Sequence, residues 1–255
     1  MTHTRETGAW IRRYHPAPGA GVRLVCLPHA GGSASYWFPM SAALAPRVDV
    51  LSVQYPGRQD RHAEPCRESV AELADGVAEA LAPYTGRPLA LFGHSMGAVV
   101  GFEVARRLEE RGTTPAALFV SGRRAPSLHR DENVHQRDTE GIVAELKQLG
   151  GTDQRAFADP EILDMILPAV RADYKAVESY RYAPGTPLSC PLHVLTGDTD
   201  PRVTLDEARA WQSHTTGDVT LRVFSGGHFY LTDHQPAILS LVTDELLSTA
   251  AAADA

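Results

Sequence analysis

The chain of 255 residues is 43% hydrophobic and 22% charged, with a formal net charge of −7 at pH 7. This composition is ordinary for a globular protein with an ample core, and the acidic balance argues against a general nucleic-acid-binding protein. No apolar stretch approaches the roughly 18 residues of a membrane span, and the amino terminus lacks the apolar centre of a secretory signal. Neither a membrane protein nor a secreted one is therefore expected.

The cysteines are too scattered to indicate a structural role. Cys26, Cys66 and Cys190 are widely separated, odd in number and without metal-type spacing. Reduced thiols and a cytoplasmic location are expected, and no metal site is predicted.

The first half of the chain alternates predicted strands with predicted helices. Short apolar runs bounded by turns predict strands, and apolar residues three or four positions apart predict helices. The strands are predicted at residues 10–14 (an edge strand), 22–27, 48–53, 89–92 and 117–120, and the helices at 36–44, at 70–81 and along the face that carries Val100, Val104 and Leu108. This rhythm predicts a parallel sheet that helices cover on both faces.

A loop rich in glycine follows the strand predicted at residues 22–27. It reads Pro-His-Ala-Gly-Gly-Ser over residues 28–33, and its adjacent glycines let backbone N–H groups turn towards a ligand. A loop at this position can supply a backbone donor to an oxyanion. A plain turn between strand and helix is the alternative, and His29 is interpreted as shaping the loop.

The segment around Ser95 joins a predicted strand to a predicted helix. It reads Gly93-His94-Ser95-Met96-Gly97, the Gly-x-Ser-x-Gly pattern of a nucleophile elbow. So tight a turn strains the backbone of the serine, and side chains at the two glycines would collide with neighbouring elements. The next helix directs its amino-terminal N–H groups at the site where an oxyanion would form. An ordinary turn is the alternative, and the elbow requires an acid and then a histidine downstream; His94 is interpreted as a packing residue.

The alternation of strands and helices stops after residue 122 and resumes near residue 187. Two helical patterns fill this stretch, one over residues 142–149 and one after Pro160. Because the insertion follows the elbow half of the sheet, a lid over the active site is predicted at about residues 123–187. An ordinary packing excursion is the alternative. One apolar face of the second helix contains Met165, Ile166, Val170 and Tyr174. This face either lines the active site or packs the lid onto the core.

The last part of the chain contains the acid and the histidine that the elbow requires. Strands are predicted at residues 192–196 and 219–224, and helices at 205–214 and 237–247. Asp198 and Asp200 follow the first of these strands, and His228 follows the second, behind two glycines that let the loop bend back over Ser95. Asp198 is suited to bond the amides of its own turn, whereas Asp200 is biased to extended backbone by Pro201. Asp200 is the preferred acid, and a histidine that merely caps a strand is the alternative for His228.

These motifs in combination resemble one family. They are PHAGG, YPGR at residues 55–58, GHSMGA, LPAVRADYKAVESYRY, GDTDPRV and GGHFYL. They are similar to type II thioesterases, the free-standing α/β-hydrolase thioesterases that accompany polyketide synthases and nonribosomal peptide synthetases. The resemblance covers residues 10–247 and implies an α/β-hydrolase fold: one domain over residues 1–255, with a mostly parallel central sheet, flanking helices and the lid. It implies a triad of Ser95, Asp200 and His228, and oxyanion donors at the backbone N–H groups of Ala30 and Met96.

The resemblance also implies a function. Type II thioesterases edit: they hydrolyse stalled or wrong acyl groups from the phosphopantetheine arm of carrier domains during antibiotic and related biosynthesis. No cofactor and no metal are needed, and a cytoplasmic monomer is expected. The alternatives are a medium-chain fatty acyl thioesterase, a carboxylesterase with the same triad, and a non-catalytic binding module of the same fold. Because carrier proteins are generally acidic, four arginines are candidates for docking, with solvated surface arginines as the alternative: Arg58, Arg123, Arg124 and Arg130.

Overall fold

Residues 9–151 and 159–253, which the computed structural model describes, form a seven-stranded sheet flanked by helices. The strands are β1 (Ile11–Arg12), β2 (Arg23–Leu27), β3 (Asp49–Val53), β4 (Leu89–His94), β5 (Leu118–Ser121), β6 (Leu192–Gly197) and β7 (Val219–Phe224). Their spatial order is β1-β3-β2-β4-β5-β6-β7. Neighbouring strands are parallel except for β1, which pairs antiparallel with β3 at the edge. The predicted α/β-hydrolase sheet is confirmed.

The helices divide between the two faces of the sheet. They are α1 (Phe38–Leu44), α2 (Val70–Ala80), α3 (Met96–Glu110), α4 (Thr139–Leu149), α5 (Pro160–Ser179), α6 (Leu205–Arg209) and α7 (Gln235–Ala253). Apolar residues of α2 and α3 pack on one face of the sheet, and those of α1 and α7 on the other. This division follows from the alternation along each strand: in β4, Leu91 belongs to the first core and Phe92 to the second. Among the described helices, none is long and apolar enough to cross a bilayer.

Several predicted helices have different bounds in the structure. Residues 34–37 form a 3-10 turn before α1, and residues 210–214 form another after α6, so that each predicted helix is partly 3-10. Helix α7 continues to Ala253, beyond the predicted end at residue 247, because its last turn is rich in alanine, which has the highest helix propensity. The three cysteines are unpaired, as predicted.

The order of the strands creates the crevice in which the candidate site lies. The chain passes from β2 to β3, which lies on one side of β2 in the sheet, and then to β4, which lies on the other side of β2. At such a switch point the loops after two adjacent parallel strands diverge and leave a crevice. Residues 28–33 after β2 and Ser95 after β4 lie at this crevice. Because β4 to β7 are all parallel, the loops that follow β6 and β7 open at the same edge of the sheet.

Helices α4 and α5 lie between β5 and β6, where the insertion is predicted. A small apolar cluster packs the two helices together, and it consists of Val134, Ile142, Leu146, Val170 and Tyr174. The predicted apolar face of α5 is therefore divided: Val170 and Tyr174 are buried in this cluster, whereas Met165 is 60% exposed. Val170 and Tyr174 thus pack α5 against α4 within the insertion, and Ala30 of the loop after β2 packs against the same cluster.

Candidate active site

The turn at Ser95 has the strained geometry of an elbow. Ser95 lies between β4 and α3 with φ 54° and ψ −116°, a backbone conformation that side-chain-bearing residues seldom adopt. A β-carbon on Gly93 would lie 2.0 Å from the carbonyl oxygen of Gly97, and one on Gly97 would lie 2.2 Å from the carbonyl oxygen of Leu27. Both contacts are with backbone, which cannot swing aside. The predicted collision at the two glycines is confirmed.

Three side chains from different loops meet next to this turn. The Nε2 of His228 lies 3.0 Å from the Oγ of Ser95, and its Nδ1 lies 3.0 and 2.9 Å from the two carboxylate oxygens of Asp200. His228 and Asp200 are buried, whereas Ser95 is half-buried. A neutral imidazole with its proton on Nδ1 donates to Asp200 and leaves Nε2 free to accept from the serine hydroxyl.

The two aspartates that follow β6 have separate roles. Asp200 receives the backbone N–H of Arg202 at 2.8 Å in addition to the imidazole, so that its carboxylate is held from two sides. Asp198 is exposed and accepts the backbone N–H of Gly226 at 2.8 Å. Asp198 therefore fixes the loop that carries His228, and Asp200 contacts the imidazole itself.

Two further histidines are buried beside His228. The ring of His94 lies 5.0 Å from that of His228 between centroids, and the ring of His29 lies 6.0 Å from that of His94. Burial, with the neighbouring His228 second, lowers the pKa of His29 to about 3 and that of His94 well below its usual value. Both rings are therefore neutral at physiological pH.

A chain of buried hydroxyls supports His94. Its Nδ1 lies 3.0 Å from the Oγ of Ser121, which in turn lies 2.6 Å from the hydroxyl of Tyr230. Tyr230 follows His228 by two residues, so that this contact also fixes the end of the final loop. The sequence analysis did not find this chain, although its first and last residues lie in two of the motifs.

The backbone donors predicted for an oxyanion lie at the switch point. Ala30 is in the loop after β2, and its N–H takes part in no hydrogen bond among the described residues. Met96 is the first residue of α3, where N–H groups have no acceptor within the helix. Gly32 N–H donates to the carbonyl of His29 at 2.9 Å, and Ala34 N–H to the side chain of Gln54 at 2.9 Å. The roles of Ala30 and Met96 in holding an oxyanion remain predictions.

A buried ion pair joins the insertion to this loop, and the sequence analysis missed it. Asp173 on α5 accepts two hydrogen bonds from the guanidinium of Arg58, at 2.5 and 2.8 Å, and one from the backbone N–H of Gly31 at 2.8 Å. Arg58 also donates to the carbonyl of Gly32 at 3.1 Å. Burial acts to lower the pKa of Arg58, but the carboxylate of Asp173 outweighs it, so that the pKa is raised. A signal was present, because Arg58 and Asp173 lie in two of the quoted motifs.

Two of the four arginines predicted for docking are buried in the structure. Arg58 is only 6% exposed and Arg124 only 3%, and Arg124 is paired with Glu132. The charge of Arg130 is neutralised by Glu207. Arg123 is half-buried beside a cavity of about 360 Å³. The prediction of an exposed docking charge is wrong for Arg58 and Arg124, because positions just after strand ends are covered here by the insertion.

The fold and the geometry at Ser95 define an α/β hydrolase in which a serine, a histidine and an aspartate are linked by hydrogen bonds. The family model of the thioesterase domain matches residues 22–246. The chain belongs to the thioesterase family, and it is a hydrolase that acts on thioester bonds.

Relatives named as thioesterases match nearly the whole chain. Thioesterase PikA5 of Streptomyces venezuelae is 56% identical over 253 residues, which cover 98% of this chain and 90% of that protein. A probable cadicidin biosynthesis thioesterase of Streptomyces griseus is 53% identical over 247 residues, which cover 96% of this chain and 68% of that protein. The solved structure of the type II thioesterase BorB, from the borrelidin biosynthetic cluster, superposes with a TM-score of 0.89 at 54% identity and covers 93% of this chain and 98% of BorB. The resemblance to type II thioesterases is confirmed.

Proposed function

We propose that this protein is an editing thioesterase that hydrolyses stalled or wrong acyl groups from the phosphopantetheine arm of carrier domains in polyketide or nonribosomal peptide biosynthesis. The observation that carries the chemistry is the hydrogen-bonded series from Ser95 through His228 to Asp200. The biosynthetic context is supported by two solved structures: BorB is a type II thioesterase from the borrelidin biosynthetic cluster, and YbtT, 32% identical with a TM-score of 0.85, is a type II thioesterase from the yersiniabactin NRPS/PKS biosynthetic pathway. A carrier domain is accordingly the proposed partner.

In the first half of the reaction, the Nε2 of His228 accepts the proton of Ser95 as the Oγ attacks the carbonyl carbon of the thioester. The carboxylate of Asp200 holds the Nδ1–H of the ring and stabilises the imidazolium that forms. The N–H groups of Ala30 and Met96 receive the oxyanion, and each contributes about 3 kcal/mol by analogy with measured oxyanion donors. The tetrahedral intermediate then collapses, the carbon–sulfur bond breaks, and the imidazolium protonates the departing thiolate of the arm.

In the second half, water takes the place of the serine hydroxyl. His228 accepts a proton from the water as its oxygen attacks the acyl-serine carbonyl, and the same N–H groups hold the second oxyanion. Collapse of this intermediate breaks the bond to Ser95 Oγ, which recovers its proton from His228. The products are a carboxylic acid, the free thiol of the arm and the unchanged enzyme.

The insertion is proposed to act as a lid on this site, within a single domain. Two contacts support this interpretation. A β-carbon on Gly151, at the end of α4, would lie 2.4 Å from the ring of Phe229, the residue after His228. A β-carbon on Gly31 would lie 2.7 Å from Val170 on α5. The insertion thus approaches the site from both the histidine loop and the loop after β2.

The proposal is tested by intact-mass spectrometry of acyl-loaded holo carrier protein. Acetyl-loaded and long-chain-loaded carriers are compared with the matching acyl-CoA and a simple oxygen ester. Faster loss of the acyl group from the carrier, together with an inert Ser95→Ala variant, supports the proposal, and Ser240→Ala on the exposed face of α7 is the matched control that retains activity. Hydrolysis by folded Ser95→Ala would refute the triad. An oxygen ester cleaved best, with the carrier left intact, would refute carrier editing and favour an esterase.

A further inference from the structure

The loop between β2 and α1 is held by a carboxylate from a distant part of the chain. Asp173 lies 115 positions after Arg58 and is completely buried. Its Oδ2 accepts the backbone N–H of Gly31, the residue next to Ala30. The guanidinium of Arg58 bridges the same carboxylate to the carbonyl of Gly32. The ion pair therefore fixes the Ala30–Gly31 peptide through its N–H and the Gly32–Ser33 peptide through its carbonyl.

We propose that Asp173, held by Arg58, is a positioning residue for the oxyanion hole, and that it makes thioester cleavage depend on the seating of α5 against the loop after β2. This inference rests on the proposed function, since it assigns the oxyanion to the N–H of Ala30. Asp173 contacts neither the substrate nor the reacting atoms. It acts by fixing the direction of the neighbouring backbone.

The hydrogen-bonding pattern of the loop shows how this positioning works. Gly31 N–H donates to Asp173 and Gly32 N–H to the carbonyl of His29, whereas the N–H of Ala30 makes no hydrogen bond among the described residues and is available to an oxyanion. Gly31 has φ +75°, a conformation that glycine reaches without strain but that it does not hold by itself. Without an acceptor for its N–H, the loop would sample other conformations, and the donor at Ala30 would turn away from the oxyanion. A misplacement of about 1 Å at a reacting centre can reduce the rate by about 100-fold.

The same contacts connect the donor to the insertion. Asp173 and Val170 lie about one turn apart on α5 and both face Gly31: Asp173 accepts its N–H, and a β-carbon on Gly31 would lie 2.7 Å from a methyl group of Val170. A shift of α5 away from the sheet therefore removes the acceptor and the steric support of the loop together. The oxyanion hole is complete only when this helix is seated. An acyl group or a carrier that changes the position of α5 would change the rate through this contact.

The experiment compares Asp173→Asn with a control on the same helix. Asn keeps the shape of the side chain but has a single acceptor oxygen, so that its NH2 group must face at least one of the three N–H groups that the two carboxylate oxygens accept from Gly31 and Arg58. Lys175→Gln removes an exposed ion pair with Glu68, which connects α5 to the segment before α2 and not to the loop after β2. Each variant is assayed with a short acyl pantetheine thioester, and the rate is expressed per active site after titration by the acyl-enzyme burst. Inhibition by a trifluoromethyl ketone, which forms a tetrahedral oxyanion on the serine, is measured in parallel.

Asp173→Asn is expected to lower kcat per active site by about 10- to 100-fold, with KM changed by less than about three-fold. The affinity for the trifluoromethyl ketone is expected to fall by about the same factor as kcat. Lys175→Gln is expected to match the wild type. Because a single substitution leaves a buried charge unpaired, the double variant Arg58→Met/Asp173→Leu is included, since apolar replacement of a buried pair commonly preserves folding. It lacks the acceptor for Gly31 N–H and is expected to show the same loss of kcat.

Two results would overturn the inference. One is a wild-type kcat per active site in the folded double variant, and the other is an unchanged affinity for the trifluoromethyl ketone in Asp173→Asn. If the pair has a purely structural role, both results are expected. Loss of the pair would then lower the melting temperature and the fraction of active protein, but not kcat per active site. Failure of the proposed function is distinguishable, because it appears as activity in Ser95→Ala and does not depend on Asp173.

Discussion

The imidazole of His228 reaches Ser95 across two intervening strands. Their side chains are 133 positions apart and 3.0 Å apart in space. Because β5 and β6 lie between β4 and β7, the strand that precedes Ser95 and the strand that precedes His228 are about 14 Å apart at the usual strand spacing. The final loop therefore folds back over the end of β6, where Asp198 holds the N–H of Gly226 and a β-carbon on Gly197 would lie 2.3 Å from the Gly226 carbonyl oxygen. Glycine at residue 197 is what permits this close crossing.

Asp200→Asn is predicted to lower kcat by about 10⁴-fold, by analogy with the measured loss for this substitution in serine proteases, while the fold stays intact. An amide cannot hold the imidazole with its proton on Nδ1 as a carboxylate does, so that Nε2 is no longer reliably the base. Asp198→Asn is the matched control. Its amide oxygen still accepts the N–H of Gly226, and near-wild-type activity is expected. Steady-state thioester hydrolysis measures both. Equal losses in the two variants would contradict the separate roles of the two aspartates.

Gly97→Ala is predicted to prevent folding of the elbow. The new β-carbon would lie 2.2 Å from the carbonyl oxygen of Leu27, the last residue of β2. Gly101→Ala, one turn further along α3, is the control, since its nearest atoms would be the methyl groups of Leu27 and Leu118 at 3.5 and 3.6 Å. There alanine is expected to be neutral or to stabilise the helix by up to about 1 kcal/mol. Soluble yield and thermal unfolding compare the two variants, and a stable, active Gly97→Ala protein would contradict the assigned geometry.

The stability of the protein is predicted to fall as the pH is lowered below about 6.5, the usual pKa of histidine. Burial lowers the pKa of His29 to about 3 in the folded state. Between these two values the unfolded chain binds a proton that the folded chain does not, so that acid favours unfolding. For one such group the slope approaches about 1.4 kcal/mol per pH unit, and His94 acts in the same direction. Urea unfolding at several pH values measures the slope.

His29→Phe tests which group causes this pH dependence. The ring of residue 29 packs edge-on against Tyr36 and Phe229, contacts that another aromatic ring can retain. The variant is expected to lose less stability than the wild type between pH 6.5 and pH 4, whatever its stability at pH 7. An identical slope in the two proteins would show that His29 does not take up the proton on unfolding.

Tyr230→Phe is predicted to destabilise the fold by about 1–2 kcal/mol, because it removes a buried hydrogen bond to Ser121. The matched control is Tyr55→Phe. Tyr55 is equally buried, but its hydroxyl has no hydrogen-bond partner among the described residues, so that its removal is expected to cost less. Denaturant unfolding of the two variants at constant pH gives the comparison. A larger loss for Tyr55→Phe would contradict the hydrogen-bonding chain that supports His94.

The sequence by itself determined the strands of the parallel sheet, the elbow at Ser95 and the order of serine, acid and histidine. These features are local, because apolar runs, glycine spacing and chain order are properties of short segments. The tertiary structure decided which aspartate contacts His228, since Asp198 and Asp200 lie on one loop and differ only in what packs against them. It also shows that Arg58, which was expected at the surface, is buried and paired with Asp173. A contact between residues 115 positions apart depends on which elements become neighbours, and here the packing of α5 over the loop after β2 brings the two charges together.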